Sequence, residues 1–64
     1  TARESEVLEH LVEGITNRQI ADRLTISTAT AKFHVRNVLG KLGAESRAEA
    51  VAIALRRGLV GSRD

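Results

Sequence analysis

The amino-acid sequence predicts an all-α fold, a four-helix bundle that contains a helix-turn-helix. Two observations carry this prediction. Three segments open with Thr or Ser and continue, three positions later, with Glu or Gln, which is the pattern of a helix-capping box. After each box, and in one further segment, apolar residues recur three and four positions apart, as on the buried side of a helix. The predicted helices span about residues 2–13, 17–24, 28–42 and 46–57.

The first helix begins at Thr1, whose hydroxyl is placed to accept a hydrogen bond from the backbone N–H of Glu4. Gly14 ends the helix, because glycine readily takes the conformation that closes one. Its core-facing residues are Val7, Leu8, Leu11 and Val12. Most of its other positions are polar or acidic, so the side away from the core carries negative charge.

The second helix begins with the same signal, Thr16 followed by Gln19, and is only about two turns long. Thr25, Ile26 and Ser27 interrupt it, because two β-branched residues continue a helix poorly. Ser27 is a favourable N-cap for the helix that follows. A short helix, a break of three residues and a longer helix form the helix-turn-helix arrangement.

The third helix has two unlike sides. One side is an apolar stripe of Ala31, Val35, Val38, Leu39 and Leu42. The opposite side, called the outer face below, consists of Lys32, Phe33, Arg36, Asn37, Gly40 and Lys41. Phe33 is the only aromatic residue of the chain, yet the spacing places it among cations and an amide. Such surroundings are unusual for a phenylalanine of the core.

A helix with this outer face has the dimensions and chemistry to enter the major groove of DNA. Lys32 and Arg36 can donate hydrogen bonds to guanine or phosphate, and Asn37 can bind adenine or phosphate. The ring of Phe33 can contact the methyl group of thymine. For the helix taken alone, a solvated surface with one stray aromatic residue is the alternative interpretation.

The fourth helix opens with a third capping pair, Ser46 and Glu49, and ends before Gly58. It is apolar almost all the way round, although a single core can cover only one of its sides. Its predicted core side is Ala50, Val51 and Ala54. The strip left outside is Ala48, Ala52 and Leu55. We expect this strip to pair two copies of the chain; alanines present for helix propensity alone are the alternative.

The composition describes one small domain over residues 1–64. Because the chain has no cysteine, disulfides and thiolate metal sites are excluded, which suits a cytoplasmic protein. No apolar run is long enough to span a membrane. No nucleophile with a paired base and no cluster of metal ligands is visible, so we expect no enzyme activity, no metal site and no cofactor.

Positive charge is concentrated in the middle of the chain. Residues 14–44 carry five cations against a single carboxylate, a net charge of +4, whereas residues 1–13 carry −3. The positive block contains the outer face, where contact with phosphates is expected. An acidic first helix that points away from the block would not oppose such contact.

Arg47 lies in the first turn of the fourth helix, where its charge opposes the helix dipole. Helix propensity alone therefore does not explain it. We favour a guanidinium that braces a carboxylate, and contact with a phosphate or plain surface charge are the alternatives.

Six segments follow one another at a recognisable spacing. They are T-A-R-E-S-E-V-L, G-I-T-N-R-Q-I-A, I-S-T-A-T-A-K-F-H, N-V-L-G-K-L-G, S-R-A-E-A and G-L-V, which together extend from Thr1 to about Val60. In order and spacing they resemble the LuxR-type (GerE-like) DNA-binding domain of bacterial transcription regulators. The resemblance implies sequence-specific binding of double-stranded DNA, with the third helix in the major groove.

The resemblance also implies roles for the matching positions. Lys32, Phe33 and Arg36 match positions that reach base edges. Positions at or near contacts with the DNA backbone are matched by Asn17, Ser27, Thr30, Asn37 and Lys41. The last helix matches the one through which such domains pair on two-fold symmetric sites, which agrees with a homodimer contact at Ala48, Ala52 and Leu55.

As the resemblance implies it, the chain is the C-terminal part of a longer cytoplasmic transcriptional regulator, such as a response regulator. RNA polymerase is then a further candidate partner. Two other interpretations stay open. One is a helical protein-interaction module that docks through its last helix. The other is the promoter-binding region of a sigma factor, which has similar I-A and T-x-K spacing, although the ending N-V-L-G-K-L-G and S-R argues against it.

Overall fold

The computed structural model describes residues 2–60. Within them the chain forms four α-helices, α1 (Ala2–Glu13), α2 (Asn17–Leu24), α3 (Thr28–Leu42) and α4 (Arg47–Arg57). The predicted all-α bundle and the predicted helix bounds are confirmed, except that α4 begins one residue later because Ser46 is its N-cap. The capping box predicted at Thr1 lies outside the described residues.

α3 is the central helix, because it packs against each of the other three. The main cluster of buried residues consists of Val7, Leu8, Leu11, Ile20, Ala21, Ala31, Val35, Val38 and Ala54. Leu39 and Leu42, the other members of the predicted stripe of α3, are partly buried against this core. Each fully buried aliphatic side chain stabilises the fold by about 1.5–3 kcal/mol. The stripe therefore determines how α3 is rotated about its own axis.

The core side of α4 agrees with the prediction and extends it. Ala50 and Ala54 are buried, and Val51 is partly buried. Ile53, to which the sequence analysis gave no place, is buried as well. Because these residues hold one side of α4 against the bundle, the opposite side remains exposed.

The start of α2 is a complete capping box, as predicted. The backbone N–H of Gln19 donates to Thr16 Oγ1 at 3.1 Å, and the backbone N–H of Thr16 donates to Gln19 Oε1 at 2.9 Å. These two bonds satisfy backbone donors that the helix itself leaves without partners. The position of Asn17, the first residue of α2, is thereby fixed.

The turn between α2 and α3 occupies the three residues predicted for it. Thr25 takes the left-handed conformation, with φ 57° and ψ 48°, and Ile26 N–H donates to the carbonyl of Ala21 at 3.0 Å. Ser27 then caps α3 by accepting a hydrogen bond from Thr30 N–H at 3.1 Å. A β-branched residue in the left-handed region is strained, so the turn is held by its hydrogen bonds and by the packing of Ile26 against the core.

The capping box predicted for α4 is only half correct. Ser46 accepts a hydrogen bond from Glu49 N–H at 3.1 Å, but the Glu49 carboxylate accepts from Glu45 N–H at 2.6 Å and not from Ser46. The backbone explains the exchange. Ser46 has φ −149°, against −79° at Thr16, and we attribute the different donor to this more extended conformation.

The strain at Thr25 leads to a stability prediction. Thr25→Gly removes the Cβ that disfavours the left-handed region, which costs a residue other than glycine about 1–2 kcal/mol. After the larger entropy loss of glycine, we expect a net stabilisation of about 1 kcal/mol, which is about 4–8 °C in melting temperature for a domain of this size. Thermal unfolding followed by circular dichroism measures it.

The matched control is Thr28→Gly, at an exposed position in the first turn of α3 with helical backbone. There the same replacement has no strain to relieve, so it lowers stability. If both variants lose stability, the conformation of Thr25 is not the strained element proposed.

Candidate nucleic-acid interface

The outer face of α3 is open to solvent. Lys32, Phe33 and Arg36 are all exposed, and Phe33 leaves 60% of its surface accessible. The prediction that the single aromatic side chain points away from the core is therefore confirmed. Its ring makes one aromatic contact, an edge-on packing against His34 with the ring centroids 5.9 Å apart.

The two cations beside Phe33 have no partner in the part of the chain that the structure describes. Neither Lys32 nor Arg36 takes part in a hydrogen bond or an ion pair there. Their charges are held on a rigid helix, because Ala31 and Val35 are buried on the other side of the same turns. Two unpaired cations that flank an apolar ring can bind an anionic polymer and contact its apolar groups at once.

Some hydrogen-bonding groups of the polar residues at the start of α3 are used by the helix N-cap. The Ser27 hydroxyl accepts from Thr30 N–H and donates to Thr30 Oγ1 at 2.9 Å. Because a hydroxyl has a single proton, Ser27 has no further donor. Thr30 is exposed and keeps its own hydroxyl proton for an outside acceptor.

Asn17 is held by Arg47, a contact that the sequence analysis did not foresee. Arg47 Nη1 donates to Asn17 Oδ1 at 2.8 Å, and Nη2 donates to the carbonyl oxygen of Ile15 at 2.7 Å. Arg47 does act as a brace, but the expected carboxylate is replaced by an amide and a backbone carbonyl. Since the amide oxygen of Asn17 faces Arg47, its NH₂ group is the part left to donate elsewhere.

Lys41 has a partner from the far end of the sequence. Its Nζ lies 2.7 Å from Glu4 Oε1, which joins the start of α1 to the last turn of α3. The Lys41 ammonium holds the pKa of Glu4 below its ordinary value of 4.5. Lys41 is still 64% exposed, so its charge remains accessible at the edge of the outer face.

Acidic α1 does not lie entirely away from the positive block. Besides Glu4, Glu13 reaches it, since Arg23 Nη1 lies 2.7 Å from Glu13 Oε1. The Arg23 guanidinium lowers the pKa of Glu13. Two of the five cations of the block are therefore paired with α1, and the unpaired ones within the described residues are Arg18, Lys32 and Arg36.

The strip predicted for pairing lies on the exposed side of α4. Ala48 and Ala52 are exposed, and Leu55 is 59% exposed. Leu59, just beyond the helix, is also exposed, at 49%.

Other kinds of site find no support in the described residues. No three side chains among His, Asp and Glu come together there in a way that could hold a metal ion. The helices of the same residues are also too short or too polar for any of them to cross a membrane.

Comparison with known proteins decides the family. The family model named GerE, described as bacterial regulatory proteins of the luxR family, matches residues 1–54. The chain belongs to the LuxR family. This membership makes the four helices a DNA-binding domain of a transcriptional regulator, and it agrees with the expectation that the chain is not an enzyme. It favours that interpretation over a protein-interaction module or a sigma-factor region.

Relatives of this LuxR-family domain differ in how much of their length it spans. The chain is 43% identical over 60 residues to the transcriptional regulatory protein YxjL of Bacillus subtilis. The matched region is 94% of this chain but only 28% of YxjL. It is 45% identical over 58 residues to the spore germination protein GerE of Bacillus subtilis and covers 78% of that protein. A solved structure of the transcription factor GerE superposes with a TM-score of 0.84 at 34% identity, over 95% of this chain and 91% of that one.

The two ion pairs with α1 make stability depend on pH in a stated direction. Because folding lowers the pKa of Glu4 and of Glu13, each pair stabilises the fold above the ordinary pKa and is lost as pH falls through the lowered one. We therefore expect Glu4→Gln to flatten the loss of stability that occurs as pH falls through and below the ordinary carboxyl pKa of 4.5. Urea unfolding at several pH values measures this.

Glu9→Gln is the matched control, because Glu9 is exposed and has no ion-pair partner among the described residues. A Glu4→Gln variant whose acid sensitivity equals that of the wild type and of the control would mean that the pair with Lys41 does not persist in solution.

Proposed function

We propose that this domain binds a two-fold symmetric site in double-stranded DNA as a pair, with the outer face of α3 in the major groove. One observation supports the proposal most. Phe33 is exposed between two cations that have no partner within residues 2–60, on a helix whose other side is buried. A partner that covers this ring would remove apolar surface from water, which favours binding.

The proposed base contacts are Lys32, Phe33 and Arg36. Arg36 is suited to a bidentate contact with the O6 and N7 atoms of guanine, and Lys32 can donate to the same acceptors. Phe33 has no hydrogen-bonding group, so it would pack on the methyl group of a thymine. These three side chains lie within about one turn of α3, or roughly 6 Å along its axis, which corresponds to about two base-pair steps.

The proposed contacts with the sugar–phosphate backbone are Asn17, Ser27, Thr30, Asn37 and Lys41. The NH₂ group of Asn17 is oriented by Arg47, and Thr30 has a hydroxyl proton left to donate. Lys41 would exchange its Glu4 partner for a phosphate. The Ser27 hydroxyl donates a hydrogen bond to Thr30 Oγ1, so Ser27 would exchange that partner for a phosphate in the same way.

The proposed pairing surface is the strip of Ala48, Ala52 and Leu55 on α4. Its support is an exposed leucine beside two exposed alanines, which allow two helices to approach closely. Identical strips related by a two-fold axis meet in a self-complementary contact. Two DNA-binding helices would then be presented to two half-sites.

Wider roles rest on family membership. We propose that the domain acts within a longer cytoplasmic regulator, a reading supported by the small share of YxjL that it spans. RNA polymerase is a proposed partner of that regulator.

Protection mapping on a genomic DNA library tests the proposal as a whole. The expected result is two protected half-sites related by two-fold symmetry. DNA that is retained at low salt without any protected sequence would contradict specific recognition, and no retention at all would contradict DNA binding.

Arg36→Glu should abolish specific binding and leave the fold intact, because the side chain is exposed and has no partner among the described residues. Loss of one good base contact costs about 1–3 kcal/mol, and the reversed charge adds repulsion from phosphates. Titration of labelled operator DNA gives the affinity, and thermal unfolding checks the fold.

Arg57→Glu is the control for net charge, because Arg57 is exposed at the end of α4 and changes charge equally. If Arg36→Glu and Arg57→Glu weaken binding alike, the effect is general electrostatics and Arg36 has no specific contact.

Leu55→Glu tests the pairing strip. The expected variant binds a single half-site as tightly as the wild type but loses cooperative binding to two half-sites, because buried carboxylates would face each other at the two-fold axis. The cooperative gain at stake is about a hundredfold or more. Mobility shifts on probes with one and with two half-sites separate the two effects, and unchanged cooperativity would place the pairing surface elsewhere.

A further inference from the structure

Gly40 differs from the other glycines that the structure describes. Gly14, Gly43 and Gly58 have φ of 81°, 69° and 65°, and each follows the end of a helix, where glycine takes the left-handed conformation without strain. Gly40 lies inside α3 with ordinary helical backbone. No turn or cap requires a glycine there.

Packing within the chain does not require a glycine at this position either. Apart from the surrounding backbone of α3 itself, a Cβ added to Gly40 would meet no atom within 4 Å, so the site has room for a side chain. In the interior of a helix, glycine is less favourable than alanine because the unfolded chain loses more conformational freedom. Forces within the described chain therefore favour a larger residue, and they do not account for the glycine.

The position of Gly40 indicates which part of a DNA duplex would lie against it. Gly40 is seven residues after Phe33, so the two point within about 20° of each other and lie about 10.5 Å apart along the helix axis. The major groove is about 12 Å wide. If Phe33 contacts base edges, Gly40 reaches the wall of the groove, where the sugar–phosphate backbone runs.

Polar side chains stand on either side of Gly40. Asn37, one turn earlier, is half-buried, and Lys41 follows directly with its Nζ held 2.7 Å from Glu4 Oε1. Bare helix backbone between an amide and an ammonium group gives a phosphate room to approach, with hydrogen-bond donors beside it.

We propose that Gly40 is a steric recess that seats one phosphodiester group of the duplex between Asn37 and Lys41, and that this close approach sets how deeply α3 enters the groove. The proposal rests on the proposed function, because it requires α3 to lie in the major groove. It adds a positioning role for a residue that has no side chain. Glycine at position 40 lowers the stability of α3 but allows the helix to enter the groove more deeply.

Gly40→Ala and Gly40→Leu test the recess, because they should move stability and affinity in opposite directions. We expect both to raise the melting temperature, Gly40→Ala by about 2–8 °C, since both are better helix formers. We expect affinity for operator DNA to fall roughly threefold for Gly40→Ala and about tenfold to a hundredfold for Gly40→Leu, because the added atoms overlap the phosphate. A purely structural role would move the two readouts together.

A set of gapped duplexes locates the contact. Each duplex lacks one nucleotide of the operator backbone, and wild type and Gly40→Leu are titrated against all of them. At one gap position the affinity of the wild type should fall, while the affinity of Gly40→Leu should rise towards that of the wild type on the same gapped duplex. Ala2→Leu, a similar enlargement at an exposed position of α1, should bind every duplex like the wild type.

The possible failures are distinguishable. If the wild type binds operator DNA, Arg36→Glu does not, and Gly40→Leu binds normally, the recess is wrong while the proposed function stands. If Gly40→Leu is weakened but no gap relieves it, the recess is also wrong, because the added side chain then acts through something other than a phosphate. If the wild type itself binds no DNA, the proposed function is wrong, and the recess is wrong with it.

Discussion

Burial of the inner stripe of α3 is the interaction on which the rest of the domain depends. Ala31, Val35 and Val38 are enclosed by the neighbouring helices, so α3 has one rotation about its axis that keeps them out of water. Phe33 and Arg36 occupy the opposite side of the same turns and are consequently exposed. The outward position of the only aromatic ring is thus a result of packing elsewhere, and rotating α3 to bury Phe33 would expose the stripe.

The net charge of the domain does not show which of its cations are paired and which are unpaired. α1 supplies carboxylates to two cations of the positive block, Arg23 and Lys41, and leaves the cations at the centre of the outer face unpaired. Exposed ion pairs contribute little to stability, so their partners are readily exchanged. The arrangement concentrates unpaired charge where bases would be contacted and moderates it at the edges.

The features that sequence reasoning predicted well are local ones. Thr16 with Gln19, and Ser27 with Thr30, lie within four residues of each other, so the caps and the helix bounds follow from short patterns. The direction of Phe33 follows from helical periodicity. At Thr25 local propensity indicated a break, but the left-handed conformation needs the hydrogen bond from Ile26 to Ala21 to hold it.

Contacts between distant segments were not predictable in the same way. The bonds from Arg47 to Asn17 and to Ile15, and from Lys41 to Glu4, join residues 30, 32 and 37 positions apart. Their formation depends on how the helices are placed, and no periodicity encodes that placement. The sequence did contain a sign at Arg47, a charge set against the helix dipole, but it did not identify the partners. The Glu49 carboxylate accepts from the backbone N–H of Glu45 and not from that of Ser46, which we attribute to the φ of Ser46.

The fork of Arg47 has a consequence for the geometry of a paired complex. It fastens the beginning of α4 to the residues at the beginning of α2, so the helix proposed to join two copies and a residue proposed to touch the DNA strand are tied by a single planar group. Two joined copies would then hold their α3 helices at a nearly constant separation and angle. Such an assembly would tolerate a change of base more readily than the insertion of one, because an added base pair both lengthens the interval between the half-sites and turns one of them around the DNA axis.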